Sequence, residues 1–228
     1  MKNYHVQQIK REEARPWILA KHYAHRMPSV SYAFGLYNGV ELIGVCTFGL
    51  SGNPKLNVGI CGESYRDVIL ELNRLCLRDN NKNEASFLIS KSLLLLPSPS
   101  IIVSYSDIRQ GHVGYVYQAT NWLYTGAPIR QSRTCFLDGK EFSTRNLGKQ
   151  FGKESKMKTI ADAKAFYGER LEVGEYEPKH RYVYLTGGKT QKKRMRKALK
   201  YPVLPYPKGE SKRYDAGDAI PTQKLMFT

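Results

Sequence analysis

The stretch from Asp107 to Trp122, DIRQGHVGYVYQATNW, is the most informative part of the chain. A short apolar run, Ile101 to Tyr105, opens into Gly111-His112-Val113-Gly114 where a helix should begin. Helix starts leave backbone N–H groups free to receive an anion or an acyl oxygen. One turn later comes Tyr117, then an aromatic at Trp122. Glycines also serve close packing and tyrosines also fill cores, so the pattern alone names no reaction.

Glu71 is the second candidate. It lies in Val68 to Leu77, an otherwise largely apolar strand, with Asn73 two residues on and on the same face. A carboxylate on a mostly buried strand is expensive unless it is paired or functional. It is therefore either a general base or the partner of Arg74, Arg78 or the basic tail. At the end of the first helix stands His22-Tyr23-Ala24-His25-Arg26-Met27-Pro28. Histidines at i and i+3 can share a face and bind a metal such as iron, but no third ligand follows at a suitable spacing. A polar loop over an active site, holding a base or a phosphate, fits better, and Arg26 joins the nucleic-acid candidates.

The elements that must position these residues follow from periodicity and turn chemistry. Residues 10–24 read as a helix, with Pro16 tolerable only near a first turn. Ser31 to Tyr37 and Leu42 to Phe48 flank Asn38-Gly39, the strongest short hairpin signal because both residues accept positive φ. After the strand at 68–77, Asn83 or Ser86 caps a helix that Pro97 ends. Ile101 to Tyr105 is a buried strand, Gly111 to Leu123 a helix, Ile129 to Leu137 a strand, 153–168 a helix and Arg181 to Leu185 a last strand. A Pro-rich stretch (Pro202, Pro205, Pro207) should be extended and exposed. That order predicts a mixed α/β domain over 1–187 and a basic C-terminal extension over 188–228.

Charge points to the partner. Lys and Arg number 36 against 20 Asp and Glu, a net +16, which favours a polyanion. Residues 1–150 carry 18 basic and 11 acidic residues, +7, while 151–228 carry 18 and 9, +9 in half the length. No acid falls between Glu177 and Glu210, where ten basic residues accumulate. Within Lys189 to Lys200, Lys189, Lys192, Lys193, Arg194, Arg196, Lys197 and Lys200 should bind phosphates without reading sequence; in a helix 193, 196, 197 and 200 share a face. No apolar run approaches the ~20 residues of a membrane span, and the N-terminus lacks a signal-peptide pattern, so the reading is a soluble, cytoplasmic protein. The cysteines at 46, 61, 76 and 135 form no C-x-x-C, and they suit a core, not a disulfide framework.

The order strand–Gly–His–x–Gly–x–x–Tyr–x–x–x–Asn–Trp resembles the fourth helix of the GNAT acyltransferase superfamily, in which the matching tyrosine protonates the leaving group; Tyr117 takes that place. Further, His22-Tyr23-x-His-Arg-Met-Pro, Phe34-Gly35-Leu36-Tyr37, Leu42 to Gly49, Glu71-Leu72-Asn73-Arg74-Leu75, Val103 to Asp107 and Gly111 to Trp122 together closely resemble the Mom family. This resemblance covers roughly residues 15–187. It implies a GNAT-like α/β fold, a mixed central sheet flanked by helices, and conversion of adenine in double-stranded DNA to N6-carbamoylmethyladenine, protecting phage DNA from restriction in a bacterial host. It makes His22, Tyr23, Ser104, Asp107 and Tyr117 site candidates, beside Glu71. Glu71 or His22 would accept the adenine amine's proton, Tyr117 would protonate the leaving group, and the Ser104–Asp107 turn with the following helix start would hold the oxyanion. Tyr23 and Trp122 would stack on an adenine flipped out of the duplex.

One departure bears on the donor. Acetyl-CoA-using GNAT enzymes cradle pyrophosphate with a glycine-rich loop; here that place reads Arg78 to Ser86 with no glycine, leaving Asn83 and Ser86, with Gly111, His112 and Gly114, as cofactor-binding candidates. Atom counting favours another donor. The appendage CH2–CO–NH2 contains a nitrogen that acetyl cannot supply. A glycyl group on the adenine amine is an isomer of it: the free amine attacks the ring carbon through a five-membered spiro intermediate, and the original nitrogen leaves as the terminal amide. Glycyl-tRNA is thus favoured over acetyl-CoA, adding tRNA to DNA as a partner. Two other classes compete: a GNAT acetyltransferase of a protein or small amine, for which the basic tail has no clear use, and a non-catalytic nucleic-acid-binding protein, for which Glu71 and the Gly-His-x-Gly turn are unneeded.

Overall fold

The structure is a computed structural model that describes residues 3–22, 24–51, 54–108, 111–127, 135–142, 159–174 and 178–209. The chain forms two compact units, Met1–Gly126 with His180–Thr228, and Ala127–Lys179. In the first, the elements run β1 (Tyr4–Ile9), α1 (Arg11–Lys21), β2 (Tyr32–Asn38), β3 (Glu41–Gly49), α2 (Pro54–Cys61), a 3-10 turn (Glu63–Val68), β4 (Ile69–Leu77), α3 (Glu84–Leu95), β5 (Ile101–Asp107), α4 (Tyr115–Ala119) and β6 (Leu123–Tyr124). The second unit holds β7 (Cys135–Leu137), β8 (Lys140–Phe142), α5 (Ile160–Tyr167) and β9 (Leu171–Val173); β10 (Lys179–Leu185) and α6 (Lys189–Ala198) follow.

The seven-stranded sheet has the order β1-β2-β3-β4-β5-β10-β6. This is the expected mixed α/β architecture. β1 to β4 are antiparallel, and β4 and β5 are parallel. Alternation along the strands separates two faces. Phe34, Leu36, Leu70, Leu72 and Ile102 pack under Leu88, Ile89 and Leu93 of α3 and Tyr117 of α4. On the other face, Ala33 and Val45 meet Ala14 and Ile18 of α1, while Ile69, Ile101 and Val183 meet Ile60 of α2 and Met195 of α6.

The hairpin forms where expected, but its turn is Gly39-Val40 and not Asn38-Gly39: Asn38 still pairs with Glu41, and of the two expected residues Gly39 alone takes a positive φ, +61°. α1 continues through Pro16, because Ala14 and Ile18 on either side are buried and tertiary packing outweighs one lost backbone bond. The predicted helix over 111–123 shrinks to Tyr115–Ala119. Gly111 and Gly114 at φ +67° and +81° delay its start, and Asn121 at φ +60° ends it. All four cysteines are buried and outside any disulfide; burial pushes the Cys46 and Cys76 thiols up to about 12 and Cys61 to about 11. Such thiols stay protonated and inert.

In the second unit, β7 pairs with β8 and β9, and α5 closes over Cys135 and Leu171 with Ala163. Thr159 and Asp162 cap α5 reciprocally. Of the strand and helix expected at 129–137 and 153–168, residues 129–134 and 153–158 lie outside the described residues. The expected boundary at 187/188 falls within the first unit, to which Met195 anchors α6. The Pro-rich stretch is extended and mostly exposed, yet it is pinned: Leu204 N–H donates to Tyr124 O at 2.9 Å and Tyr206 OH to Trp122 O at 2.7 Å. No helix among the described residues is long and apolar enough to cross a membrane.

Candidate active site

β4 and β5 pair only at Ile69–Ile101, Leu70–Ile102 and Glu71–Val103; beyond these rungs each strand runs on without the other. The sheet therefore splits just past Glu71. Ser104 bridges the gap, its hydroxyl 2.9 Å from Leu72 O and 2.8 Å from Tyr117 OH. A carbonyl can only accept, and a serine has one proton. Ser104 therefore donates to Leu72, and Tyr117 donates to Ser104. This corrects the expected role of Ser104: its proton is spent inside the fold and is not free for an oxyanion. What Ser104 does is aim the Tyr117 hydroxyl.

The Tyr117 ring is buried between Trp122 and Tyr182, centroids 5.1 Å away in each case. Trp122 is fully buried, so it offers no face on which an adenine could stack, contrary to expectation. Tyr182, which sequence reasoning passed over as one more apolar strand position, braces the helix. Its hydroxyl donates to Val113 O at 2.5 Å and accepts from Gln118 Nε2 at 3.2 Å, and burial pushes its pKa up to about 12. A Cβ at Gly114 would stand 2.4 Å from the Tyr182 ring, so the second glycine is there for close approach.

Asp107 ends β5. The N–H groups of Gly111 and His112, expected to receive an anion, instead donate to Ile108 O and Asp107 O, at 2.9 and 3.2 Å. Ser106 Oγ donates to His112 O at 2.7 Å and tightens the turn further. Burial lowers the His112 pKa, with Asp107 opposing, which keeps the imidazole neutral around pH 7.

β4 carries a bulge: Thr47 faces Arg74 and Phe48 faces Leu72, leaving Asn73 as the extra residue. Asn73 Oδ1 accepts from Thr47 Oγ1 at 2.6 Å, and Nδ2 donates to Ser29 O at 2.8 Å. Arg74 donates to Arg26 O through Nε and a terminal nitrogen at 3.3 and 3.2 Å, and Ser31 N–H donates to Phe48 O at 2.8 Å. The loop after α1 is thus moored to β3 and β4 and carries His22 and an exposed Arg26 with it. Thr47 and Asn73 give no sign of this role in the sequence, since only the bulge joins them to Ser29. A Cβ at Gly49 would lie 2.0 Å from Ser29 O. Gly49→Ala must push this loop away and should lower stability by ~1–3 kcal/mol, read as a fall in thermal midpoint.

His22 Nδ1 accepts from Ala24 N–H at 3.0 Å, so in the neutral ring Nε2 bears the proton. His25 Nδ1 lies 2.9 Å from Leu19 O and must donate to it. Among the described residues no three His, Cys, Asp or Glu side chains gather to hold a metal. Tyr23 lies outside the described residues.

Glu71 is half-buried at the last rung before the split. Arg78 pairs with Glu41 and Asp79 instead, and Arg74 serves backbone carbonyls. Among the described residues the Glu71 carboxylate makes no hydrogen bond or ion pair. It shares a sheet face with Ile69, the face of α1, α2 and α6, whereas Tyr117 belongs to the α3/α4 face. The two groups address the split from opposite sides.

Asn83 and Ser86 stand apart from this cluster, at the start of α3. Asn83 takes φ +70° and Ser86 Oγ donates back to its carbonyl at 3.1 Å. Between them Glu84 is buried, its carboxylate accepting from Asn81 N–H at 2.8 Å, Asn81 Nδ2 at 3.0 Å and Tyr4 OH at 2.8 Å. The chain's own anion occupies the helix end where a pyrophosphate would be expected, and repels a second one. On α6, Lys189, Lys192, Lys193, Arg194, Arg196 and Lys197 are exposed around the buried Met195. Lys200 falls beyond the helix, its N–H donating to Ile60 O at 2.8 Å, so it does not share the face expected for it.

Among solved structures, the chain is similar to two acetyltransferases. The spermidine N-acetyltransferase of Vibrio cholerae, in complex with CoA and spermine, is 11% identical, with 84% of this chain and 99% of that one covered and a TM-score of 0.43. The ribosomal-protein-S5-alanine acetyltransferase of Vibrio fischeri is 8% identical, with coverage of 82% and 94% and a TM-score of 0.44. Likenesses so loose leave the reaction open. A sequence model of the Mom protein family matches residues 3–208. Methylcarbamoylase Mom of Escherichia phage Mu is 32% identical over 215 residues, 91% of this chain and 85% of that protein. The chain belongs to the Mom family.

Proposed function

We propose that the protein is an acyl-transfer enzyme that converts adenine in double-stranded DNA to N6-carbamoylmethyladenine. Kinship with a methylcarbamoylase supports the reaction class. The site adds the observation that carries the chemistry: a carboxylate without a partner among the described residues and a phenol held by Ser104 flank the split in the sheet. In this reading the flipped adenine comes from the α1/α2 side and Glu71 takes a proton from its amine as that nitrogen attacks the acyl carbon. Glu71 is a better base than His22, whose Nδ1 is committed to a backbone N–H and whose Nε2 already bears the proton. On the α3/α4 side Tyr117 turns its proton from Ser104 to the departing oxygen and protonates it. Ser104 can then turn its own proton from Leu72 O to the phenolate, which spares that anion an unpartnered burial.

The favoured donor is an activated glycine, glycyl-tRNA. Beyond the atom balance, Glu84 at the start of α3 argues against a coenzyme A pyrophosphate there, so no step is assigned to coenzyme A and Asn83 and Ser86 are not given a phosphate to hold. Gly111, His112 and Gly114 are read as the turn that fixes α4. With this donor both polyanions, DNA and tRNA, need cations, and the exposed face of α6 is one place to supply them.

Nucleosides digested from plasmid DNA coexpressed with the protein should include deoxyadenosine heavier by one C2H3NO unit. Unchanged nucleoside masses from an active, soluble preparation would sink this reading. Glycine carrying a heavy nitrogen should label the product, and heavy carbon entering the appendage from acetate but not from glycine would overturn the donor.

A further inference from the structure

Lys200 leaves the α6 face for a specific place. It lines an open depression of about 420 Å³ together with Lys55, Val58 and Gly59 of α2 and Arg66 of the 3-10 turn. Two cations from consecutive elements and a third from the far end of the described chain are therefore brought to one concavity. The fold holds them there. Ile60 O accepts the Lys200 N–H, fixing where its side chain departs. Gly59 contributes no side chain to the hollow, and a Cβ at Gly62, where φ is +91°, would stand 3.6 Å from Lys200 Cε. Glu63 binds Arg66 at 2.5 Å, and Asp67 lies 3.6 Å from its Nε. Those two acids temper Arg66.

From this geometry we infer a phosphodiester-binding site at Lys55, Arg66 and Lys200 that receives the backbone of the duplex DNA substrate. The choice of duplex DNA over tRNA rests on the proposed function and on the side of the sheet. The walls of the depression, α2 and the end of α6, pack on the face where Ile69 lies, and Glu71 is two residues farther on that same face. Tyr117, the group assigned to the donor's leaving oxygen, belongs to the opposite face. A polyanion seated here thus lies on the side of the base that activates adenine. The exposed cations of α6 immediately precede Lys200 in the chain.

The test is the salt dependence of equilibrium binding to a nontarget DNA duplex and, separately, to uncharged tRNA. Each phosphate contact contributes about −0.9 to the slope of log affinity against log salt on duplex DNA. The double variant Lys55→Ala/Lys200→Ala should flatten the duplex slope by up to ~2 units and weaken all duplex sequences alike, with the tRNA slope unchanged. Lys55→Arg/Lys200→Arg should restore the duplex slope, which separates charge from packing. An unaltered duplex slope in an alanine variant of unchanged melting temperature overturns the site. A change confined to tRNA moves it to the other polyanion and equally overturns the assignment. Because binding is read without turnover, a protein that shows the predicted slopes but leaves adenine unmodified would refute the proposed function alone.

Discussion

Tyr117→Phe should reduce adenine modification by ~10²–10⁴-fold, the usual contribution of a positioned general acid. The variant removes one oxygen. The ring keeps its contacts with Trp122 and Tyr182, and Ser104 keeps Leu72 O as its acceptor. The hydrogen bond from the phenol to Ser104 is lost, worth about 0.5–1.5 kcal/mol of stability, so the protein should remain folded. The loss should fall on kcat, because the phenol acts on the leaving group and not on DNA binding. Counting carbamoylmethyl groups formed per enzyme on saturating duplex DNA is the measurement. Full activity would remove Tyr117 from the reaction and leave it as core packing. Ser104→Ala should cost less, since the phenol keeps its proton but loses the partner that aims it.

Glu71→Gln should be comparably damaging, again by ~10²–10⁴-fold, for a different reason. The amide keeps the shape and hydrogen-bonding capacity of the side chain and cannot take a proton at pH 7. No ion pair to another described residue is broken, so a stability loss is not expected to confuse the result. The pH profile gives a second reading: the acidic limb of kcat/KM, which reports protonation of the base in the free enzyme, should disappear in the variant. His22→Gln is the counterpart. A mild effect of Glu71→Gln beside a severe one of His22→Gln, with the acidic limb removed by the latter, would make His22 the base.

Local signals in the chain determined much of this protein. Asn38-Gly39 marks a hairpin between two apolar runs, although the turn itself falls one residue later, at Gly39-Val40, because Asn38 stays paired with Glu41. Pro97 stops α3 after Leu95 because it can neither donate a backbone bond nor let its predecessor stay helical. The strand containing Glu71 and the segment leading to Tyr117 are legible for the same reason: period and turn chemistry act over a few residues. What those residues do depends on neighbours distant in sequence, and only the tertiary structure decided it. Ser104 and Leu72 meet because β4 and β5 part after three rungs, and the direction of the Tyr117 proton follows from that meeting. Asn73 reaches Ser29 because a bulge turns it out of the ladder. Glu84, an ordinary first-turn acid in the sequence, becomes a buried anion once Tyr4 and Asn81 close over it. Lys200 reads as one more cation of a basic helix, and it joins Lys55 and Arg66 only because the helix ends at Ala198 and the next N–H but one binds Ile60. Charge, periodicity and turns are written along the chain, while the pairing of a donor with its acceptor is a long-range event that no local pattern encodes.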